Sequence, residues 1–162
     1  MGGDRVALKH GAGGRAMRAL IEDVFLALAT PVDGIGLSAL DDGAALRVGD
    51  RWLVITTDSH VVHPTFFPGG DIGRLSVSGT VNDLAMMGAR PIALTDTMVV
   101  EEGFPIDDLR KVVRSMNETL NTVGMALIHG DFKVMPKTKL DKLIISTTGL
   151  GTTDGRKPIL DS

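Results

Sequence analysis

The chain has 162 residues, 43% of them apolar and 23% charged, with a net charge of −3 and no cysteine. That describes one globular domain with a core of its own. Charges of both signs are interspersed, which argues against a general nucleic-acid binder. The lack of cysteine excludes disulfides, zinc–thiolate sites and thiol nucleophiles within the chain. No apolar run reaches the ~18 residues of a membrane span, and the N-terminal MGGDRVALKHGAGG has no signal-peptide core. A cytoplasmic protein that binds neither membrane nor nucleic acid is expected.

In chain order, Lys9–Gly14 (KHGAGG) is a glycine-rich entry to a helix. Met17, Leu20, Ile21, Val24 and Leu28 form the apolar face of that helix, and Pro31 stops it. Glycines before a helix leave backbone N–H groups free for an anion, although a flexible arm has the same composition. Leu40–Val48 is expected to be a short strand opened by Asp41 and Asp42, and Arg51–Ser59 a β-branched strand that carries Asp58 at its end. Gly34–Ala39 spells a dinucleotide fingerprint by letter, but no strand precedes it and no helix follows; there is also no P-loop. His60–Gly70 is a proline- and glycine-punctuated loop in which Phe66 and Phe67 are expected to anchor to the core.

Gly69–Pro91 (GGDIGRLSVSGTVNDLAMMGARP) is a helix. Ile72, Leu75, Ser76, Gly79, Asp83 and Met86 recur at spacings of three and four, and Val77, Val81 and Leu84 make a second stripe. A carboxylate in such a setting is capped, paired or bound to a ligand, because burying it bare is costly. Pro91–Val100 is a strand and Pro105–Val123 a second amphipathic helix, stopped by Gly124. Met125–His129 is a strand leading into Gly130-Asp131-Phe132-Lys133. Leu143–Thr148 is the last strand, after which the chain trails off as a polar segment. These elements make an α+β domain with helices on one face of a sheet. Trp52 and Val54 are expected on the uncovered face, which a second copy would cover.

Asp42, Asp58, Asp83 and Asp131 each lie beside glycine, threonine or asparagine, Asp41 lies beside Asp42, and four of the five stand at element ends. Singly, each reads as a turn or cap residue. Brought together they would make an oxygen-rich site for Mg²⁺ and phosphate, with Lys133 facing the negative charge.

In sequence order, HGAGG, DDGAA, TTDS, FFPGGDIG, GTVNDLAMMGA, EEGFP and GD-x-KV resemble the N-terminal half of the hydrogenase maturation protein HypE family. That family belongs to a superfamily with aminoimidazole ribonucleotide synthetase, selenophosphate synthetase and thiamine-monophosphate kinase. The resemblance covers residues 7–151. It implies a domain whose sheet pairs with that of a second copy to close a β-barrel-like core. It also implies ATP and Mg²⁺ as cofactors. Asp41, Asp42, Asp58, Asp83 and Asp131 would hold the metal. His10, Gly11, Gly13, Gly14, Asn82 and Lys133 would contact ATP, and Asp83 and Lys133 would stand at the reacting group. The family activity is ATP-dependent dehydration of a cysteine-linked thiocarboxamide to a thiocyanate, the source of cyanide for the iron of nickel–iron hydrogenase. Implied partners are the carbamoyltransferase and iron-scaffold maturation proteins. Residues 1–151 would be the ATP-binding and dimerisation domain and residues 152–162 the start of a linker to a second domain. The family's terminal cysteine is not in this chain, and Phe132 stands where threonine is common. A non-catalytic dimerisation or scaffold module and a small-molecule kinase of the same superfamily are the competing readings.

Overall fold

The computed structural model describes residues 5–160. Its centre is a six-stranded mixed sheet ordered β1-β2-β3-β8-β6-β7. The strands are β1 (Gly34–Ile35), β2 (Ala44–Val48), β3 (Arg51–His60), β6 (Arg90–Glu101), β7 (Ala126–Met135) and β8 (Leu143–Thr153). Every pairing is antiparallel except β6 with β7, which the helix α3 (Ile106–Val123) connects as a crossover. A hairpin of β4 (Phe66–Phe67) and β5 (Gly70–Asp71) leads into α2 (Ile72–Met86).

Helix α2 starts where Asp71 accepts a bond from the Arg74 N–H, an N-cap that satisfies one of the first-turn donors. The same carboxylate accepts from Ser115 Oγ at 2.6 Å, tying α2 to α3. At Gly73 the two helices touch: a Cβ there would run into the Val112 carbonyl and lie 2.9 Å from Met116 Cγ. Gly124 ends α3 with φ +70°, as its position after the amphipathic run predicts.

The faces of the sheet follow from strict alternation along β8. Leu143, Ile145, Thr147, Gly149, Gly151 and Thr153 are buried and the residues between them half-buried. The buried set lies under α2: Thr147 Oγ1 is 2.6 Å from Thr80 Oγ1, and the bare Cα of Gly149 makes room for Thr80 and Leu84. Opposite residues of paired strands share a face. Val54, Thr56, Asp58 and His60 of β3 therefore join the helix-covered side, with Met98 and Val100 of β6. Leu53, Ile55, Thr57 and Ser59 lie on the open side with Ser146, Thr148 and Leu150.

Several expectations are corrected here. Val54 is fully buried in the core cluster that includes Leu84, and Trp52 packs against the same core, so neither lies on the open face. The N-terminal helix is one short α-segment, α1 (Gly14–Leu20), which loosens into a π-turn and then a 3-10 turn by Leu28. None of its residues is buried. The strand expected over Leu40–Val48 begins at Ala44, since Leu40 takes a left-handed conformation and Asp41–Gly43 form a turn. The strand expected to end at His129 continues through Gly130–Lys133 to Met135, and the last strand continues to Thr153. Phe66 is partly exposed beneath the Lys111 ammonium, 5.6 Å from the ring centroid, rather than anchored in the core. On α2, Leu75 and Met86 are exposed, so the helix is covered on one side.

Candidate functional site

The strand β3 and the helix α2 build one polar group between them. Asp58 and His60 sit two apart on β3, on the face that meets α2. Thr56, one step earlier on the same face, lies 3.0 Å by its hydroxyl from Asp83 Oδ2 and 2.8 Å from the Asp42 carbonyl. A threonine hydroxyl carries one proton, so it serves one of these acceptors at a time, unless Asp83 is protonated and donates to Thr56 in turn. The carboxyl of Asp83 is pushed above the usual range. Burial is the main cause, opposed by the Thr56 bond and reinforced by the negative charges of Asp58 and Asp42. His60 pulls weakly the other way.

Asp58 is held on both oxygens. Its Oδ1 accepts from the Ser59 N–H at 2.7 Å and its Oδ2 lies 3.2 Å from His60 Nε2. Asp41 Oδ1 accepts from the Asp42 N–H at 2.8 Å, fixing the turn that carries both aspartates toward β3. Three of the five predicted carboxylates, Asp42, Asp58 and Asp83, are therefore close enough to act on one another, with Asp41 beside Asp42.

Asp131 and Lys133 are elsewhere. The register runs Asp58 to Thr147, Thr147 to Asp96 and Asp96 to Gly130, so β7 lies three strands away from β3, on the order of 14 Å. Asp131 pairs with Thr97 and points to the open side. Lys133 Nζ is 3.0 Å from its carboxylate and holds it below the usual range. Phe132 takes the other face, beside Met98, where with Asp96, Met116 and Leu120 it lines a cavity of about 610 Å³.

The remaining predicted residues are also apart. His10 ends a 3-10 turn, with its Nδ1 accepting from the Ala7 N–H, and Gly11 follows it. Gly13 and Gly14 open α1 with φ near +75°. Among the described residues no hydrogen bond or ion pair ties residues 10–14 to Asp42, Asp58 or Asp83. Asn82 is exposed on α2. The His63 ring faces Asp141 at 3.6 Å. Thr56, inside the TTDS string, and His60 are functional candidates to which the motif reading gave no role, although the period-two set Val54, Thr56, Asp58, His60 carries both.

The donors Asp42, Asp58 and Asp83 are hard oxygens with excess negative charge, which suits Mg²⁺. Among the described residues no three acidic or histidine side chains enclose a metal by themselves. Mg²⁺ commonly takes one or two carboxylates and completes its shell with phosphate and water.

Residues 40–153 match the model of "AIR synthase related protein, N-terminal domain". The chain belongs to that family. Among curated relatives of this AIR synthase related domain is a hydrogenase expression/formation protein of Methanocaldococcus jannaschii, 50% identical over 160 residues, which are 97% of this chain and 47% of the relative. Carbamoyl dehydratase HypE of Escherichia coli is 43% identical over 151 residues, 91% of this chain and 45% of the relative. A solved HypE–HypF complex contains a chain that matches with TM-score 0.77 and 42% identity, over 88% of this chain and 45% of that one. HypE in complex with ATP matches with TM-score 0.61 and 45% identity, over 91% and 43%. A ThiL complexed with AMPPCP and TMP shares the fold at 16% identity and TM-score 0.66. The AIR synthase related domain described here thus spans about half the length of these relatives and corresponds to the N-terminal half of HypE.

Proposed function

We propose that this chain is the ATP-binding, dimer-forming domain of a HypE-type hydrogenase maturation protein. The observation that carries the proposal is the convergence of Asp42, Asp58 and Asp83 on the β3–α2 junction, with the Asp83 carboxyl raised by burial and by its neighbours. Such a cluster of like charges is stabilised by a cation, and a phosphate chain supplies the ligands that complete a magnesium shell. Asp42, Asp58 and Asp83, with Asp41 at the edge, would hold the ion, which neutralises phosphate charge when bound. The ATP found with a HypE of 45% identity supports the same ligand here.

The chemistry proposed for the whole protein is dehydration of a thiocarboxamide. The amide oxygen is a poor leaving group until ATP phosphorylates it. Positioning and charge neutralisation are then the protein's contribution.

The open face of the sheet is proposed to pair with a second copy. It carries a hydroxyl ladder, with Ser59 to Ser146 at 2.7 Å and Thr148 to Thr57 at 3.1 Å, flanked by half-buried Leu53, Ile55 and Leu150. Asp131 and Lys133 lie on this side, too far from Asp83 to serve it within one chain, so they act on the nucleotide of the partner copy. The HypE–HypF complex supports a maturation protein as a further partner. A mixing experiment tests the shared site. Asp83→Ala and Lys133→Ala chains, each weak in Mg·ATP binding, are combined and allowed to exchange. Random pairing restores about a quarter of the sites. No recovery in a mixture shown to exchange places the two groups outside one shared site.

A further inference from the structure

His60 is a histidine in an unusual position. It ends β3 on the helix-covered side and is 7% exposed. Its Nδ1 is buried without a hydrogen-bond partner, while Nε2 lies 3.2 Å from Asp58 Oδ2. The backbone of α2 closes over the ring at Gly79. A Cβ at that position would stand 2.7 Å from His60 Nε2 and 3.7 Å from Asp58 Oδ2. Glycine therefore lets the helix approach until strand and helix clamp the imidazole edge-on to the carboxylate. The other Asp58 oxygen is fixed by the Ser59 N–H at 2.7 Å. The carboxylate is gripped from both ends, and its remaining lone pairs are left for an incoming ligand.

We propose that His60 is a positioning residue for Mg·ATP binding. Its Nε2–H orients the Asp58 carboxylate toward the metal, with Gly79 as the space that makes this possible. The proposal rests on the carboxylate site assigned above and goes beyond it in naming a residue that touches neither metal nor nucleotide. The imidazole must then be the Nε2–H tautomer, because a bare Nε2 would set a lone pair against a carboxylate. Partners that hydrogen-bond a metal-binding side chain from behind are typically worth 10–100-fold in metal affinity.

Two measurements on the whole chain test it. Nitrogen NMR of the histidine rings reads the tautomer without any ligand. A protonated Nε2 and bare Nδ1 in the parent, with the preference weakened in Asp58→Ala, are expected; an Nδ1–H ring in the parent overturns the proposal. Calorimetry with Mg²⁺ and ATP then compares His60→Leu with His60→Gln, which restores a side-chain N–H. The leucine variant is expected to bind about tenfold or more weakly. The glutamine variant should recover most of the loss. Equal losses in both variants at unchanged melting temperatures, or no loss in the leucine variant, overturn the proposal. A parent chain that binds no Mg·ATP defeats the carboxylate site itself, and the tautomer still decides whether His60 holds Asp58.

Discussion

Replacing Asp83 by asparagine should stabilise the chain while disabling it. The side chain is half-buried on α2, its hydroxyl partner is Thr56, and Asp42 and Asp58 add unfavourable negative charge. Asparagine keeps the acceptor for Thr56 and nearly the same volume, and it removes the charge. The sign follows from the raised carboxyl. In the unfolded chain the group ionises near 3.8, but in the folded chain it does so at higher pH. Between those two values the folded state holds the extra proton, so the parent loses stability as pH rises through the folded value. Asparagine has nothing to lose there. Its advantage is therefore absent well below pH 3.8, grows as pH rises through that window and is complete above the folded value. Relieving one such charge typically yields about 1 kcal/mol, discounted here because the side chain still reaches solvent. For a chain of this length a full 1 kcal/mol is about 2–4 °C in melting temperature, so a rise below that is expected. The assay is thermal unfolding of both chains in EDTA at pH 4 and pH 7. A variant that melts at or below the parent at pH 7, or an advantage that shrinks as pH rises, refutes the electrostatic account of this site.

Three other substitutions probe the rest of the structure. Gly73→Ala pushes a methyl group into the Val112 carbonyl at the α2–α3 contact and should cost about 1–3 kcal/mol, read as a lower denaturation midpoint. An unchanged midpoint would contradict the close helix approach. Leu150→Glu places a charge on the open face of the sheet, and sedimentation is predicted to report a dimer for the parent and a monomer for this variant. A parent that stays monomeric at high concentration contradicts the pairing. Phe132→Thr restores the residue expected at that motif position, yet Mg·ATP affinity should stay within about twofold, because the side chain faces Met98 and Met116 rather than the Asp131 side. A large gain in affinity would place Phe132 at the phosphates.

The helices were the most legible part of the chain. Periodicity and Gly124 set α3 from end to end, and apolar spacing located α2. The faces of the sheet were less so. Trp52 and Val54 lie on strands that carry apolar residues on both sides, and alternation alone does not say which side meets the helices. Gly130-Asp131 has turn composition, but pairing with β6 through Glu101 overrides it. The N-terminal apolar stripe is real in sequence and finds no core to enter, since burial depends on what the rest of the fold brings near. The carboxylates Asp42, Asp58 and Asp83 were legible as candidates, whereas their separation from Asp131 depends on a strand order that spacing does not contain. Thr56 lies inside the TTDS string, where only Asp58 was given a role, and His60 stands just beyond it with no motif of its own.

The central claim is that Asp42, Asp58 and Asp83 form a Mg·ATP site, and calorimetric titration of the chain with ATP in the presence and absence of Mg²⁺ tests it most directly. Saturable binding that needs Mg²⁺ and disappears in Asp83→Ala, at an unchanged melting temperature or a higher one, is the predicted result. Equal binding by parent and Asp83→Ala, or binding indifferent to Mg²⁺, would contradict it.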